Sequence, residues 1–575
     1  MTGESSSDIE IVTNTPSHVV APRAVISYGE AIKLILSLGI PMALSFTFSF
    51  SILLIGLMTS RLQQEDESQD YLGAATLITT MAQVLTILMF SHLFAMGGVA
   101  SEKRGRLTEI EKQLNDLTVR KCFLEAERSL KPIGDSDGPE LAEIQSLEAS
   151  IVTLQQKGIS PLKQSTSTIL KNGWILSIVP MLAAMAAMFF SKSILIRCFG
   201  QRVNVATPTQ LYLRWYTLAL PPLALRFCVE QMIFAFKNNT AAMLMGLSTL
   251  GVGTFLAGYL GFGPLHWGLL GIALGYVAEA FLTCLSFCLY LKWHKDFRDF
   301  PFFRSLTTWS WNDLKQMTEL LRVGGVVTFE QVNTLATQLT MSLFAGQLSR
   351  DELDTYNMGA QLGWFTWIPS LALALTLWQE ISRRMGEALE KIRQQKGDGQ
   401  LYYRDAQRIA QVGLPTSTML VSGLCLPFIV RPNFLTAIVN NNVNSHVRHM
   451  ANTVTPVMAG TIICNAALIT MVLSLRGGGD LYVPVGISVA NLWLGVLLAY
   501  MLGFKTNFGI DGIVIGYGIG IVLGTLFVFR RFISHMKPEK LAAANGEPTI
   551  TVNERTALLT NDPPYLSDKR IQSRL

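Results

Sequence analysis

The chain has 575 residues, half of them hydrophobic and only 15% charged. A soluble chain of this size carries about a quarter charged residues, so most of this polypeptide belongs in lipid. The net charge of +5 does not point to nucleic acid, because the basic residues sit in particular loops. The seven cysteines show no zinc-site or disulfide spacing, and the chain is not expected to be an enzyme.

Residues 1–30 are polar and lack the basic-then-apolar order of a cleaved signal. They read as a disordered N-terminal tail. Twelve apolar segments then follow near 31–60, 71–97, 172–196, 210–236, 241–263, 267–291, 322–346, 356–378, 406–430, 451–475, 482–504 and 510–533, each long enough to cross a bilayer. Lys and Arg concentrate at 101–171, 292–321 and 379–405, for example Lys103, Arg104 and Arg106, then Lys292, Lys295 and Arg298, then Arg383, Arg384, Lys391 and Arg393. Glu65-Asp66-Glu67 and Asp351-Glu352 mark loops on the other side. Basic loops face the cytosol, so both termini are expected there, in a plasma membrane or an endosomal or lysosomal membrane.

Gly268-Leu-Leu-Gly-Ile-Ala-Leu-Gly-Tyr276 returns as Gly509-Ile-Asp-Gly-Ile-Val-Ile-Gly-Tyr517, an offset of 241 residues from 268 to 509. Such an echo marks a duplicated membrane unit. The glycines step by three and four, one helical face on which a neighbouring backbone can come close. The two halves read as 31–291 and 322–533, joined by a cytosolic linker at 292–321. At their starts, Gly39-Ile-Pro41 and Gly324-Gly325, the offset is about 285 residues. The first half therefore holds an insertion, located at 101–171. There Leu107, Ile110, Leu114 and Leu117, then Leu141, Ile144, Leu147, Ile151 and Leu154, form two helical stripes. Pro132, Gly134, Gly138 and Pro139 separate them. The insertion reads as an antiparallel, coiled-coil-like hairpin. It either packs only on itself or docks a cytosolic partner.

Leu475-Arg-Gly-Gly-Gly-Asp480 with Val483-Pro484 resembles the Arg-Gly-x-Gly-Asp-x-x-x-Pro loop of the multidrug and toxic compound extrusion (MATE) family. Phe236-Lys-Asn-Asn-Thr240 stands at the equivalent place in the first half. Gly39-Ile-Pro41, Tyr212-Leu-Arg-Trp215 with Pro221, and both glycine strings add to a resemblance that covers roughly 31–533. The resemblance implies an all-α membrane protein of twelve transmembrane helices in two six-helix bundles forming a V. It further implies a monomer that exports amphipathic or cationic small molecules by alternating access, driven by H+ or Na+ and needing no other cofactor. Pro41 and Pro221 would be helix hinges, and Arg476, Gly477, Gly479 and Asp480 the family loop. Many bacterial members carry an Asp where this chain has Gly56, and crossing five reads Gly251-Val-Gly-Thr-Phe-Leu-Ala-Gly258 where relatives often have Asn and Asp. The family Glu of crossing seven falls at Thr334, with Glu330 one turn away.

Charged groups inside a membrane are rarely accidental. Glu330 with Asn333, Thr334 and Gln338 shares a helical face suited to a proton or Na+. Glu279 and Asn465 are further ion-coupling candidates. Arg226 and Glu230, four apart, read as a structural salt bridge or a gating pair. Gln361, Trp364, Trp367 and Asn491 are candidates to line a substrate cavity. His446 and His449 lack further metal ligands nearby, and no nucleotide-binding loop is present. Residues 534–575 read as a disordered tail in which Glu554, Leu558 and Leu559 resemble a sorting signal. Two other functions stay open: a flippase for lipids or lipid-linked sugars, and a non-transporting interaction protein.

Overall fold

The computed structural model describes residues 24–49, 71–129, 139–308, 310–393, 399–434, 445–506 and 508–546, with Ile55, Met58 and Thr59 besides. The described residues are helical, with no strand among them. The first half runs α1 (Tyr28–Ser49), α2 (Tyr71–Phe90), α3 (Phe94–Ser129), α4 (Pro139–Thr153), α5 (Ser160–Phe189), α6 (Ser191–Phe199), α7 (Val203–Tyr216), α8 (Leu220–Ala235), α9 (Asn239–Phe262) and α10 (Gly268–Trp293). Short helices α11 (Lys295–Arg298) and α12 (Phe302–Thr307) lead to the second half. That half comprises α13 (Trp311–Leu348), α14 (Arg350–Arg393), α15 (Gln400–Val430), α16 (Ser445–Gly477), α17 (Tyr482–Tyr500) and α18 (Gly509–His535), followed by α19 (Pro538–Ala544).

Among the described residues, eleven helical stretches are long and apolar enough to cross a membrane, so the chain is a multi-pass membrane protein. The remaining long helix, α13, falls short of that test because polar residues such as Glu330, Gln331, Asn333 and Gln338 lower its hydropathy. It is nevertheless continuous for 38 residues. The most polar crossing is the one that carries the candidate ion-linked acid.

The duplication is visible in packing. In each half the first crossing lies on the fifth (α1 on α9, α13 on α17), the fifth on the sixth (α9 on α10, α17 on α18), and the sixth on the fourth (α10 on α8, α18 on α16). The glycine strings explain the second contact. Gly268 and Gly509 open their helices at φ of 53° and 55°, a left-handed conformation that favours glycine. A Cβ on Gly271 would meet the Leu260 carbonyl, and one on Gly512 the Leu502 carbonyl. Gly275 faces Ala257 as Gly516 faces Ala499. Close backbone approach thus seals both hairpins without bulky side chains.

Some segment ends differ from the expectation. The basic stretch at 379–405 is no simple loop, because α14 continues to Arg393. Glu380 lies 3.7 Å from Arg383 and Arg384 lies 2.8 Å from Glu387, pairs that support helix at i,i+3 spacing. The linker ends at 310 rather than 321: Asp313 accepts from the Ser310 amide at 2.7 Å and starts α13. The N-terminal tail is anchored before residue 30, since Ile26 donates to Asp405 at 2.8 Å. Nor is all of 534–575 disordered. Helix α19 buries Leu541 fully, and Asn545 donates to Tyr403 at 3.0 Å. Gly56, Glu65-Asp66-Glu67 and the Glu554, Leu558, Leu559 signal lie outside the described residues.

The insertion is a helical arm. α3 continues crossing two past a 3-10 turn at Ser91–Leu93, and α4 returns through a π-helical stretch at Leu154–Ile159 into α5. Leu107, Ile110, Ile144 and Leu147 of the two stripes are buried. Arg120–Glu143 at 2.5 Å and Lys121–Glu148 at 2.8 Å tie its two sides together.

Candidate functional site

Where the halves meet, α13, α14 and α16 wall a small, partly open pocket, with Phe94 of α3 facing it from the first half. Trp367, Leu371, Leu375 and Trp378 of α14, Ile469 and Leu473 of α16 and Val327 of α13 make it apolar and aromatic. The polar lining is Glu330, Gln331 and Arg476. Glu330 and Arg476 form a direct buried ion pair. The Arg476 guanidinium also stands 5.8 Å from the centre of the Trp378 ring, within cation–π range.

The glycine loop builds this arrangement. Arg476 occupies the last turn of α16, where a cation also suits the helix dipole. A Cβ on Gly477 would lie 2.9 Å from the Ile381 Cβ, so the missing side chain lets α16 press onto α14 beside Trp378. Gly479 then turns the chain at φ 91°. The Asp480 amide donates to Leu475 O at 2.9 Å, while its carboxylate takes Arg531 of α18 at 2.7 Å. Arg476 therefore does more than shape a loop: it is the partner of Glu330, a pairing that sequence spacing did not reveal.

The residues grouped with Glu330 by helical spacing direct their polar atoms elsewhere. Thr334 Oγ1 donates to the Glu330 main-chain carbonyl at 3.0 Å. Asn333 donates to Phe329 O at 2.7 Å and accepts from Trp493 of α17 at 3.0 Å. Gln338 is half-buried on the same helix.

A second buried charge pair lies in the first half. Arg226 and Glu230 of α8 are 3.7 Å apart, and Ser45 of α1 donates to Glu230 at 2.6 Å. Arg226 also faces the Phe287 ring at 5.4 Å. Glu279 of α10 is buried against Gly253 of α9; the lost side chain at 253 makes room for it. Asn465 is half-buried on α16. Asn491 does not line the cavity. It donates to Ile487 O at 2.8 Å and packs on Gly520 and Gly524 of α18, because those glycines open the α17–α18 seam. Gln361 and Trp364 lie on α14, but their side chains are outside the described residues. Pro41 sits inside α1, whereas Pro221 opens α8 after a 3-10 turn at Thr217–Ala219. His446 approaches Asp351 at 3.3 Å, and no group of three metal-ligating side chains occurs among the described residues.

Two duplicated six-crossing halves, with a buried ion pair in the pocket where they meet, define a two-bundle helical membrane fold built by internal repetition. The particular architecture is that of solved MATE transporter structures, so the chain has the MATE fold. A eukaryotic MATE transporter, AtDTX14, superposes with a TM-score of 0.68 at 13% identity, over 90% of this chain and 99% of that one. A multidrug resistance MATE family transporter of the MOP superfamily, in an outward-facing conformation, gives 0.66 at 15% identity, over 88% and 96%. A MOP superfamily transporter from Pyrococcus furiosus gives 0.67 at 13% identity, over 90% and 97%. In sequence, the chain is 24% identical over 291 residues to "Probable multidrug resistance protein NorM" of Synechocystis sp., which covers 49% of this chain and 59% of that protein. The protein of that name from Agrobacterium fabrum is 23% identical over 383 residues, or 65% and 78%. The chain spans about three-fifths of the length of the two cyanobacterial NorM relatives it matches. No protein-family model matches it.

Proposed function

We propose that this protein is a secondary active exporter of amphipathic or cationic small molecules, working by alternating access and coupled to inward movement of an ion. The observation that carries the reading is the Glu330–Arg476 pair in an aromatic cavity between the halves. The chemistry follows from charge. With Glu330 ionised, the pair is neutral, and an organic cation can compete with Arg476 for the carboxylate while its flat body lies on Trp367, Trp378 and Phe94. A proton on Glu330 cancels that attraction and leaves Arg476 as a net positive charge, which drives the cation out. The two ligands are thus mutually exclusive, the condition for antiport.

The hydroxyl of Thr334 and the amide of Asn333 are spent on main-chain carbonyls and Trp493. That arrangement favours a proton over Na+, which needs several free oxygens. The charge of the arm and the loops on its side favours placing them, with both termini, in the cytosol. The reading is tested by measuring binding of a lipophilic dye cation to purified wild-type protein and to Glu330→Gln. The wild type should bind the dye, and Glu330→Gln should bind it much more weakly while staying folded. Equal binding by the two would overturn it.

A further inference from the structure

The arm does not merely fold on itself. Both of its feet are bonded to the second half. On the outgoing foot, α3 crosses α14 through a reciprocal glycine contact: a Cβ on Gly105 would collide with the Arg383 carbonyl, and one on Gly386 with the Glu102 carbonyl. Beside it, Arg106 reaches Glu390, one turn beyond Gly386, at 3.2 Å. Beyond it Glu109, buried, takes Lys391 at 3.5 Å and the Tyr402 hydroxyl at 2.7 Å. On the returning foot, Lys171 of α5 pairs with Asp313 of α13 at 2.5 Å, and Asn172 donates to Asp313 O at 3.1 Å. Between the feet and the cavity lies an inner ring. Lys237, just after α8, pairs with Glu380 at 2.8 Å, and Arg383 donates to the Ala235 carbonyl at 2.5 Å.

We infer that the insertion is an intramolecular clamp, whose feet extend the seal between the two halves on the arm side and must release for that side to open. Three features support this. α3 is one unbroken helix from Phe94, so a rotation of its half carries Arg106 and Glu109 rigidly with it. From Gly97 to Lys112 the helix advances about 22 Å, which turns a local contact into a long lever. The outer contacts are ionic rather than apolar. An apolar seal would expose greasy surface on opening, whereas parted carboxylates and cations regain water. This suits a contact that closes and opens repeatedly. The clamp rests on the alternating-access reading only for what the opening serves.

The test uses full-length protein with exposed Cys122 and Cys198 replaced by Ser, spin-labelled at Trp293→Cys and Ile533→Cys, exposed positions at the arm-side ends of α10 and α18. Distances between the labels are read in vesicles without substrate or gradient. Arg106→Glu and Glu390→Arg should each raise the arm-side-open population about tenfold, about 1.4 kcal/mol. The double reversal should restore the wild-type distribution. Glu109→Gln, which keeps shape and removes charge, should open it to a similar extent. Unchanged distances in Glu109→Gln and both reversals would overturn the clamp, as would opening that the double reversal fails to restore. Because the readout needs no transport, failure of the exporter reading leaves this result intact.

Discussion

The buried pair in the first half offers a stringent prediction. Glu230 is fully buried and the Arg226 side chain is 4% exposed. Replacing Glu230 by Leu takes a buried carboxylate away from the Arg226 guanidinium, at about 2–3 kcal/mol. The Phe287 ring face, 5.4 Å away, stays against the guanidinium. The hydrogen bond that the Ser45 hydroxyl donates to Glu230 at 2.6 Å is lost as well, worth about 1 kcal/mol. A net loss of about 3–4 kcal/mol shifts the folding equilibrium more than a hundredfold. Arg226→Met with Glu230→Leu removes both charges and should be more stable than Glu230→Leu alone, by at least about 1.5 kcal/mol of coupling. Unfolding titrations of the purified protein in mixed micelles measure all four corners of the cycle. A Glu230→Leu variant as stable as wild type, or a double variant no better than the single, would refute the assignment of this pair as a buried structural bond.

Further outcomes follow from the packing. Gly275→Leu and Gly516→Leu each force a side chain into the backbone of Ala257 or Ala499 and should abolish folded expression equally, since the two hairpins are built alike; fluorescence size-exclusion reads this directly. Asn491→Ala should leave dye binding within about twofold of wild type, because the residue faces α18 and not the cavity. At the arm foot, burial pushes the Glu109 carboxyl up, but the Tyr402 hydrogen bond and the charges of Lys112 and Lys391 outweigh it and hold the group below its ordinary value of 4.5. A depressed carboxylate contributes stability above that ordinary value and loses it as pH falls through the lowered one. Thermal stability should therefore drop more steeply below pH 4.5 in wild type than in Glu109→Gln, as differential scanning fluorimetry would show.

The number of crossings and the duplication were legible because both rest on local signals: apolar length, and glycines repeated at helical spacing. The insertion showed itself through a slipping offset between the halves. What local signals miss is partnership across helices. Glu330 stood out as an intramembrane acid, yet its counter-charge is 146 residues away, in a motif that read as a turn. Asn491 looked like a cavity residue because it is polar in an apolar helix, and only Gly520 and Gly524 across the seam show where it points. The basic run after Trp378 read as a loop since charge set topology there. Its i,i+3 pairs and the facing arm instead keep it helical. The arm's stripes foretold that it folds, while its grip on α14 depends on residues of the other half that no stripe names.

If Glu330 links export to an inward ion gradient, the link shows in efflux of a dye cation from vesicles holding the reconstituted protein, with an imposed pH gradient, for wild type and Glu330→Gln. Gradient-driven efflux is expected in the wild type and should vanish in the variant while its folding is preserved. Efflux that ignores the gradient, or that Glu330→Gln sustains at the wild-type rate, would contradict it.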